Sequence, residues 1–307
     1  MADNVPEFIV KDGNFIPYED AVIHVMSPAV KYGLSVFEGL RAYKNEKDGT
    51  VYVFRLQEHT ERLFQSMRLL RFEPAFSPEE INTKTIELLQ KVGVQSAAHI
   101  RTTACIDGKG EQQARKPISY SISVLEKARK ANTSHGIRCQ VSAWTRIDDS
   151  SMPPRIKCGG NYVNGRLARF QAIQDGYDEA IQLNTAGKVA EAPGACLFMV
   201  RRGEIATPDV ASGILEGITR DSVVQLAHTY GMNLTERQVE KTELYAADEV
   251  FLTGSALELV PVVEIDGIKI GSGQRGPITE KLQQGYFDAV CGDYGRERGW
   301  LTPVPGK

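Results

Sequence analysis

The residues best suited to chemistry lie beside glycines and prolines, at the element ends where function-bearing loops tend to sit. Lys157 follows Pro153-Pro154 and precedes Cys158-Gly159-Gly160, with Asn161-Tyr162 at an expected helix start. A lysine amine held near a tight loop can form an imine once its ammonium form is disfavoured. Taken alone, a loop lysine is more often simply solvated. Glu191, in KVAEAPGACLF, stands just before a strand-like run. A carboxylate there could hold a ring nitrogen in its protonated form, and a surface turn glutamate is the plainer alternative. Gly217-Ile218-Thr219-Arg220-Asp221 has the pattern of an anion-binding helix start, with backbone N–H groups and a threonine hydroxyl suited to phosphate. The commoner alternative is a threonine cap with Arg220 in solvent. Thr253-Gly254-Ser255 would add a second N–H and hydroxyl cluster, or be only a turn between strands.

Two arginines extend this set. Arg62 lies on a helical stretch opposite part of its Leu63/Met67 face, from which it could reach inward to a phosphate, although helix arginines usually face solvent. Arg101 interrupts the strand-like HIRTTACI. Period-two alternation permits it either a pocket or a solvent position, and places His99 on the same face. Arg101 in a pocket would be a donor to carboxylate or phosphate. Tyr32, Phe37 and Tyr43 are aromatic candidates for a pocket wall, though such rings more often fill a core.

The elements that must position these groups alternate strands and helices. EFIVKDGNFIPYEDAVI reads as two strands about the turn Asp12-Gly13, and VYVFRL as another. EHTERLFQSMRLLRF repeats Leu63, Met67 and Leu70 at helical spacing. Ser77-Pro78-Glu79-Glu80 predicts a capped helix start with Glu80 completing a capping box, and Gly93 a stop. AAHIRTTACI and ISYSISVL are strand-like. The polar run 126–136 then loses apolar periodicity and is expected to link two domains, 1–125 and 137–307. Beyond it, IRCQVSAW, a helix and strand about Gly176, a hairpin about Arg202-Gly203, a helix from Gly217 to Gly231, two strands interrupted by Gly254-Ser255 and a late helix PITEKLQQGYFDAV complete a mixed α+β pattern.

Composition narrows the function classes. The chain has 307 residues and a net charge of −3, which argues against a broad nucleic-acid footprint. No apolar stretch approaches a membrane span, and the start MADNVPEFIVKDG lacks the basic and apolar regions of a signal peptide, so a cytoplasmic location is expected. The five cysteines and five histidines are scattered, with no CxxC and no HExxH, so neither a disulfide framework nor a metal site is expected.

Together, HVMSPAVKYGLSVFEGLRAY, EHTERL, RIKCGGNY, EAPGACLF, LEGITRD and DEVFLTGSALELVPV resemble the fold-type IV, pyridoxal-phosphate-dependent aminotransferases, and most closely the branched-chain amino acid aminotransferases. The resemblance runs from about residue 8 to residue 303. It implies a smaller N-terminal α/β sandwich domain, a larger C-terminal pseudo-barrel domain and an active site at their interface in a homodimer. It further implies pyridoxal 5'-phosphate as cofactor, an amino donor and a keto acid acceptor as partners, and a ping-pong transfer from an L-branched-chain amino acid to 2-oxoglutarate. Lys157 would carry the covalent link to the cofactor and Glu191 would pair with the pyridinium nitrogen. Tyr162 would stand near the phenolic oxygen. Arg62, Ile218, Thr219 and Thr253 would hold the phosphate. Tyr32 would come from the neighbouring subunit, while Phe37, Gly39, His99, Arg101, Ser255 and Ala256 would shape the substrate pocket.

Three positions depart from the family pattern. His99 stands where a tyrosine is usual, Cys196 where an asparagine is usual, and LEKARKANTSHG replaces an aromatic-rich interdomain loop. They keep open an (R)-selective amine:pyruvate or D-amino acid transaminase on the same scaffold. An aminodeoxychorismate lyase and a cofactor-free structural relative are further alternatives.

Overall fold

The computed structural model describes residues 5–129 and 132–306, so Lys130 and Ala131 of the expected linker lie outside the described residues, as does the MADN start. In chain order the first elements are β1 (Phe8–Lys11), β2 (Asn14–Pro17), α1 (Pro28–Tyr32), β3 (Ser35–Lys44), β4 (Val51–Phe54), α2 (Leu56–Leu69), α3 (Pro78–Val92), β5 (Ala98–Ile106) and β6 (Ile118–Glu126). There follow α4 (Asn132–His135), β7 (Ile137–Val141), α5 (Asn161–Gln174), β8 (Glu179–Ile181), β9 (Cys196–Arg201), β10 (Glu204–Thr207), α6 (Ile218–Thr229) and β11 (Leu234–Glu236). The last are α7 (Lys241–Tyr245), β12 (Glu249–Gly254), β13 (Glu258–Ile265), β14 (Ile268–Lys269), α8 (Pro277–Ala289), α9 (Asp293–Glu297) and β15 (Leu301–Val304). No helix among the described residues is long and apolar enough to cross a membrane.

The chain divides into two compact units. The first comprises Met1–Ala128, Ile156–Gly160 and Asp288–Lys307, and the second Arg129–Arg155 and Asn161–Phe287. A single cut at 126–136 therefore misses two returns to the first unit, and the two units come out nearly equal in length. The returns have local causes. Residues 156–160 pair with the start of β3, and β15 pairs with β4 through Leu301–Val304.

The first unit is built on an antiparallel sheet in the order β15-β4-β3-β5-β6-β1-β2. Apolar residues of one face (Val36, Leu40, Ile100, Ala104, Ile122) form a core with Leu63 and Met67 of α2 and Ile81, Leu88 and Leu89 of α3. The α3 start follows the expected chemistry: Ser77 Oγ accepts from Glu80 N–H at 3.2 Å, Pro78 opens the helix, and Gly93 ends it at φ +71°. The carboxylate of Glu80 departs from the expected capping box, because it accepts from the Tyr120 hydroxyl at 2.7 Å.

The second unit has the strand order β11-β10-β9-β12-β13-β7-β8, with parallel pairs at β10–β11, β13–β7 and β7–β8. Its central strands carry apolar runs, as in CLFMV of β9 and VFL of β12, because both of their faces are covered. The hairpin about Arg202-Gly203 and the strand break at Gly254-Ser255 form as expected.

Candidate active site

In the first unit, the short segment around Lys157 extends the sheet. Phe37 N–H donates to the Lys157 carbonyl at 2.9 Å, Gly159 N–H donates to the Ser35 carbonyl at 3.1 Å, and Cys158 bridges to Val36. Strand alternation then sorts the side chains. Ile156 and Cys158 enter the apolar core, and Lys157 emerges on the opposite face, its Nζ 5.0 Å from the centre of the Phe37 ring. Its backbone N–H is held by Ser66 Oγ of α2 at 3.1 Å. Backbone pairing thus fixes where the amine projects.

Phe37, Gly39, His99 and Arg101 of the expected pocket lie on this face of the first unit. In the β3–β5 register Phe37 lies opposite Thr103, Gly39 opposite Arg101, and Arg41 opposite His99. The Arg101 guanidinium sits 3.5 Å from the Phe37 ring centre, on an exposed position of β5. A Cβ at Gly39 would lie 3.3 Å from His99 Nε2, so glycine leaves room for that imidazole. Burial, followed by the charges of Lys127, Arg41, Arg101 and Lys157, lowers the His99 pKa to about 4. At neutral pH it is therefore a neutral imidazole and not a cation. Arg41 escaped sequence reading because it continues an apolar strand. It is buried, and its Nη2 donates to the Lys127 carbonyl at 2.6 Å.

Arg62 is buried on α2, toward the core face of the sheet. Its Nε and Nη2 donate to Glu38 Oε1 and Oε2 at 2.7 and 2.8 Å, and His59 Nδ1 lies 2.7 Å from Glu38 Oε2. The Glu38 pKa is lowered even though burial, the largest influence, would raise it, because the Arg62 charge and the hydrogen bonds outweigh that burial. His59 is shifted down by burial, so at neutral pH it is uncharged and donates Nδ1–H to Glu38. The expected phosphate role of Arg62 thus comes with a carboxylate partner that periodicity did not reveal. Tyr32, expected to serve a neighbouring subunit, donates its hydroxyl within this chain to Glu111.

The second unit gathers Glu191, Cys196, Gly217 and Thr253. Glu191 is buried, with Oε1 accepting from Arg146 Nη2 at 2.7 Å and from Leu215 N–H at 3.1 Å. The Cys196 thiol contacts Oε2 at 3.7 Å. Cys196 on β9 pairs with Thr253 on β12, and a Cβ at Gly217 would fall only 2.8 Å from Cys196 Sγ. That close approach leaves α6 starting on a glycine with no side-chain cap, and Ile218 and Thr219 form its first turn. Arg220 is not solvated, contrary to the commoner reading of the motif: it is buried on Thr207, Pro208 and Glu236. Thr253 Oγ1 is buried with no hydrogen-bond partner. Ser255 and Ala256 form the turn beyond it, and Tyr162 lies half-exposed in the first turn of α5. Arg146 was missed because nothing in SAWTRIDD marks a buried arginine.

In the second unit, an uncapped helix start, an orphaned threonine hydroxyl and an arginine-held carboxylate suit a phosphate-bearing aromatic ring; in the first, the projected lysine suits an aldehyde. Comparison with known proteins assigns the class. The amino-transferase class IV family matches residues 35–265, and the chain belongs to it; it is an aminotransferase of fold type IV. The chain is 44% identical over 306 residues to a probable branched-chain-amino-acid aminotransferase of Aquifex aeolicus, covering 98% of each. It superposes with a TM-score of 0.92 on the branched-chain amino acid aminotransferase of Thermobaculum terrenum in its PLP form, at 38% identity and covering 98% and 99% of the two chains. The branched-chain aminotransferase of the thermophilic archaeon Thermoproteus uzoniensis, solved with norvaline, gives a TM-score of 0.93 at 38% identity, covering 98% of this chain and 100% of that one.

Proposed function

We propose that the protein is a pyridoxal 5'-phosphate-dependent transaminase that moves an amino group from an L-branched-chain amino acid to 2-oxoglutarate in two half-reactions. The observation that carries this reading is Lys157, turned out of the core by backbone pairing on a chain 44% identical to a branched-chain aminotransferase along its length.

The bound cofactor supplies an electron-withdrawing ring that makes the substrate Cα–H acidic. Lys157 Nζ would hold the cofactor covalently and would carry a proton from substrate Cα to the cofactor's C4′, first as general base and then as general acid. Glu191 accepts the N–H of the ring nitrogen, and Arg146 keeps that carboxylate oriented. Ile218 and Thr219 N–H groups with the Thr253 hydroxyl hold the phosphate, joined by Arg62, whose direction Glu38 sets. Tyr162 serves the phenolic oxygen. Phe37 and Gly39 would shape the substrate pocket, Ser255 and Ala256 would offer the α-carboxylate their turn N–H groups, and Arg101 with neutral His99 would receive the distal carboxylate of 2-oxoglutarate.

A homodimer is part of the same reading. Val163, Leu167, Phe170 and Ile173 recur along one face of α5 and are exposed, as are Val22, Ile23, Val25, Met26 and Val30. A second copy of the chain would cover these apolar groups. Five cysteines outside any disulfide, four of them buried, suit the reducing cytoplasm.

The test is initial rates with 2-oxoglutarate or pyruvate as acceptor and L-leucine, D-alanine or (R)-1-phenylethylamine as donor. Turnover of L-leucine with 2-oxoglutarate is expected. Turnover of only the D-amino acid or the (R)-amine would transfer the assignment to the second reading, which the histidine in place of tyrosine favours.

A further inference from the structure

The turn that follows Thr253 carries a strained residue. Gly254 and Glu258 close the β12–β13 hairpin as register partners, and Leu257 N–H donates to the Gly254 carbonyl at 3.0 Å. Glu258 has φ +63°, the left-handed conformation that hairpin loops of this kind usually fill with glycine. A non-glycine residue is disfavoured there by its Cβ and persists where its side chain secures something in return.

The side chain shows what is secured. Glu258 is 1% exposed; its Oε2 accepts from Arg129 Nε at 2.9 Å, and its Oε1 is buried with no partner. Arg129, with its side chain 39% exposed, also stacks its guanidinium 3.5 Å from the Phe287 ring centre. It is the first residue of the second unit, in the polar run that leaves the first. A buried carboxylate with one guanidinium partner resists displacement, since separating the pair strands a charge out of water.

We propose that Arg129 and Glu258 are positioning residues for substrate. Arg129 holds Glu258, Glu258 fixes the end of the 255–257 loop, and the loop keeps the Ser255 and Ala256 N–H groups aimed at the α-carboxylate shared by amino acid and keto acid. The inference rests on the transaminase reading given above, which places that carboxylate at this turn.

The test uses the cofactor-loaded protein and three variants, Arg129→Ala, Arg129→Lys and Glu258→Gly. Glycine accepts the φ of position 258 without strain, so Glu258→Gly removes the carboxylate while sparing the backbone. KM for both L-leucine and 2-oxoglutarate should rise about 10-fold in Arg129→Ala and Glu258→Gly, with kcat and the pyridoxal phosphate Kd changing less than about 3-fold. Amide hydrogen exchange at Ala256 and Leu257 should quicken in both. Arg129→Lys, which still reaches the carboxylate, should restore most of the KM. Unchanged KM and unchanged loop exchange in Glu258→Gly would overturn the proposal. A Kd for the cofactor that worsens in step with KM would also overturn it, since the pair would then be supporting the whole site. If the wild-type protein turns over no donor, the transaminase reading falls, and the exchange comparison still decides whether the pair locks the loop.

Discussion

Two buried glutamates, one in each unit, show how satisfaction of polar groups separates scaffold from binding site. Glu38 is enclosed by donors: two guanidinium nitrogens of Arg62 and the Nδ1 of His59, all within 2.8 Å. Glu191 is held by Arg146, by Leu215 N–H and by the Cys196 thiol, and the adjoining strand presents a buried threonine hydroxyl with no partner. The first cluster is complete within the chain and mainly orients Arg62. Beside the second, the Thr253 hydroxyl is the buried polar group left for a ligand to complete.

The two clusters should therefore respond differently to substitution. Lys157→Ala should have the largest effect, lowering kcat/KM for L-leucine roughly 10⁴-fold in steady-state assays while leaving the melting temperature near that of the wild type. Glu38→Ala leaves a buried guanidinium without its carboxylate, and should cost about 3–5 kcal/mol of stability by urea unfolding. Glu191→Gln should keep the cofactor bound and lower kcat roughly 10²-fold, seen by comparing cofactor absorbance with turnover. Thr253→Val sharpens the contrast most. Its hydroxyl bonds to nothing in the chain, so stability should change by less than about 0.5 kcal/mol, while pyridoxal phosphate affinity falls about 10-fold in a fluorescence titration.

The smallest effect is on pH dependence. Glu38 has a lowered folded pKa, so its contribution is present above the ordinary carboxylate range and lost as pH falls through the folded value. His59 and His99 are also shifted down, His99 to about 4, so the unfolded chain takes up protons first as pH falls below about 6.5. All three erode stability on the acid side. Melting temperatures should decline between about pH 7 and about pH 4.5, and His99→Gln should flatten that decline. An unaltered slope would contradict the neutral buried imidazole.

Local signals carried much of this in the sequence. The Ser77-Pro78 helix start, the Arg202-Gly203 hairpin and the Gly217 start of α6 depend on nearby residues, and they form as those residues dictate. The return of residues 156–160 to β3 does not, because that pairing joins segments distant in the chain, Val36 with Cys158. Arg62, Arg146 and Arg220 show the same limit. Each is a basic residue that composition would place in solvent, and each is buried by a carboxylate found only through tertiary contact: Glu38, Glu191 and Glu236. Lys157 and Glu191 stood out through their glycine- and proline-rich surroundings, but the family resemblance was needed to join them in one reaction.

The most direct measurement is the absorbance spectrum of the purified, cofactor-loaded protein titrated with L-leucine without a keto acid, beside the Lys157→Ala variant. Lys157 as the proton-transferring amine predicts stoichiometric conversion of the pyridoxal band to the pyridoxamine form in the wild type, reversed by 2-oxoglutarate, and no conversion on the same timescale in the variant. Equal conversion in both proteins, or a wild-type spectrum that L-leucine leaves unchanged, would contradict it.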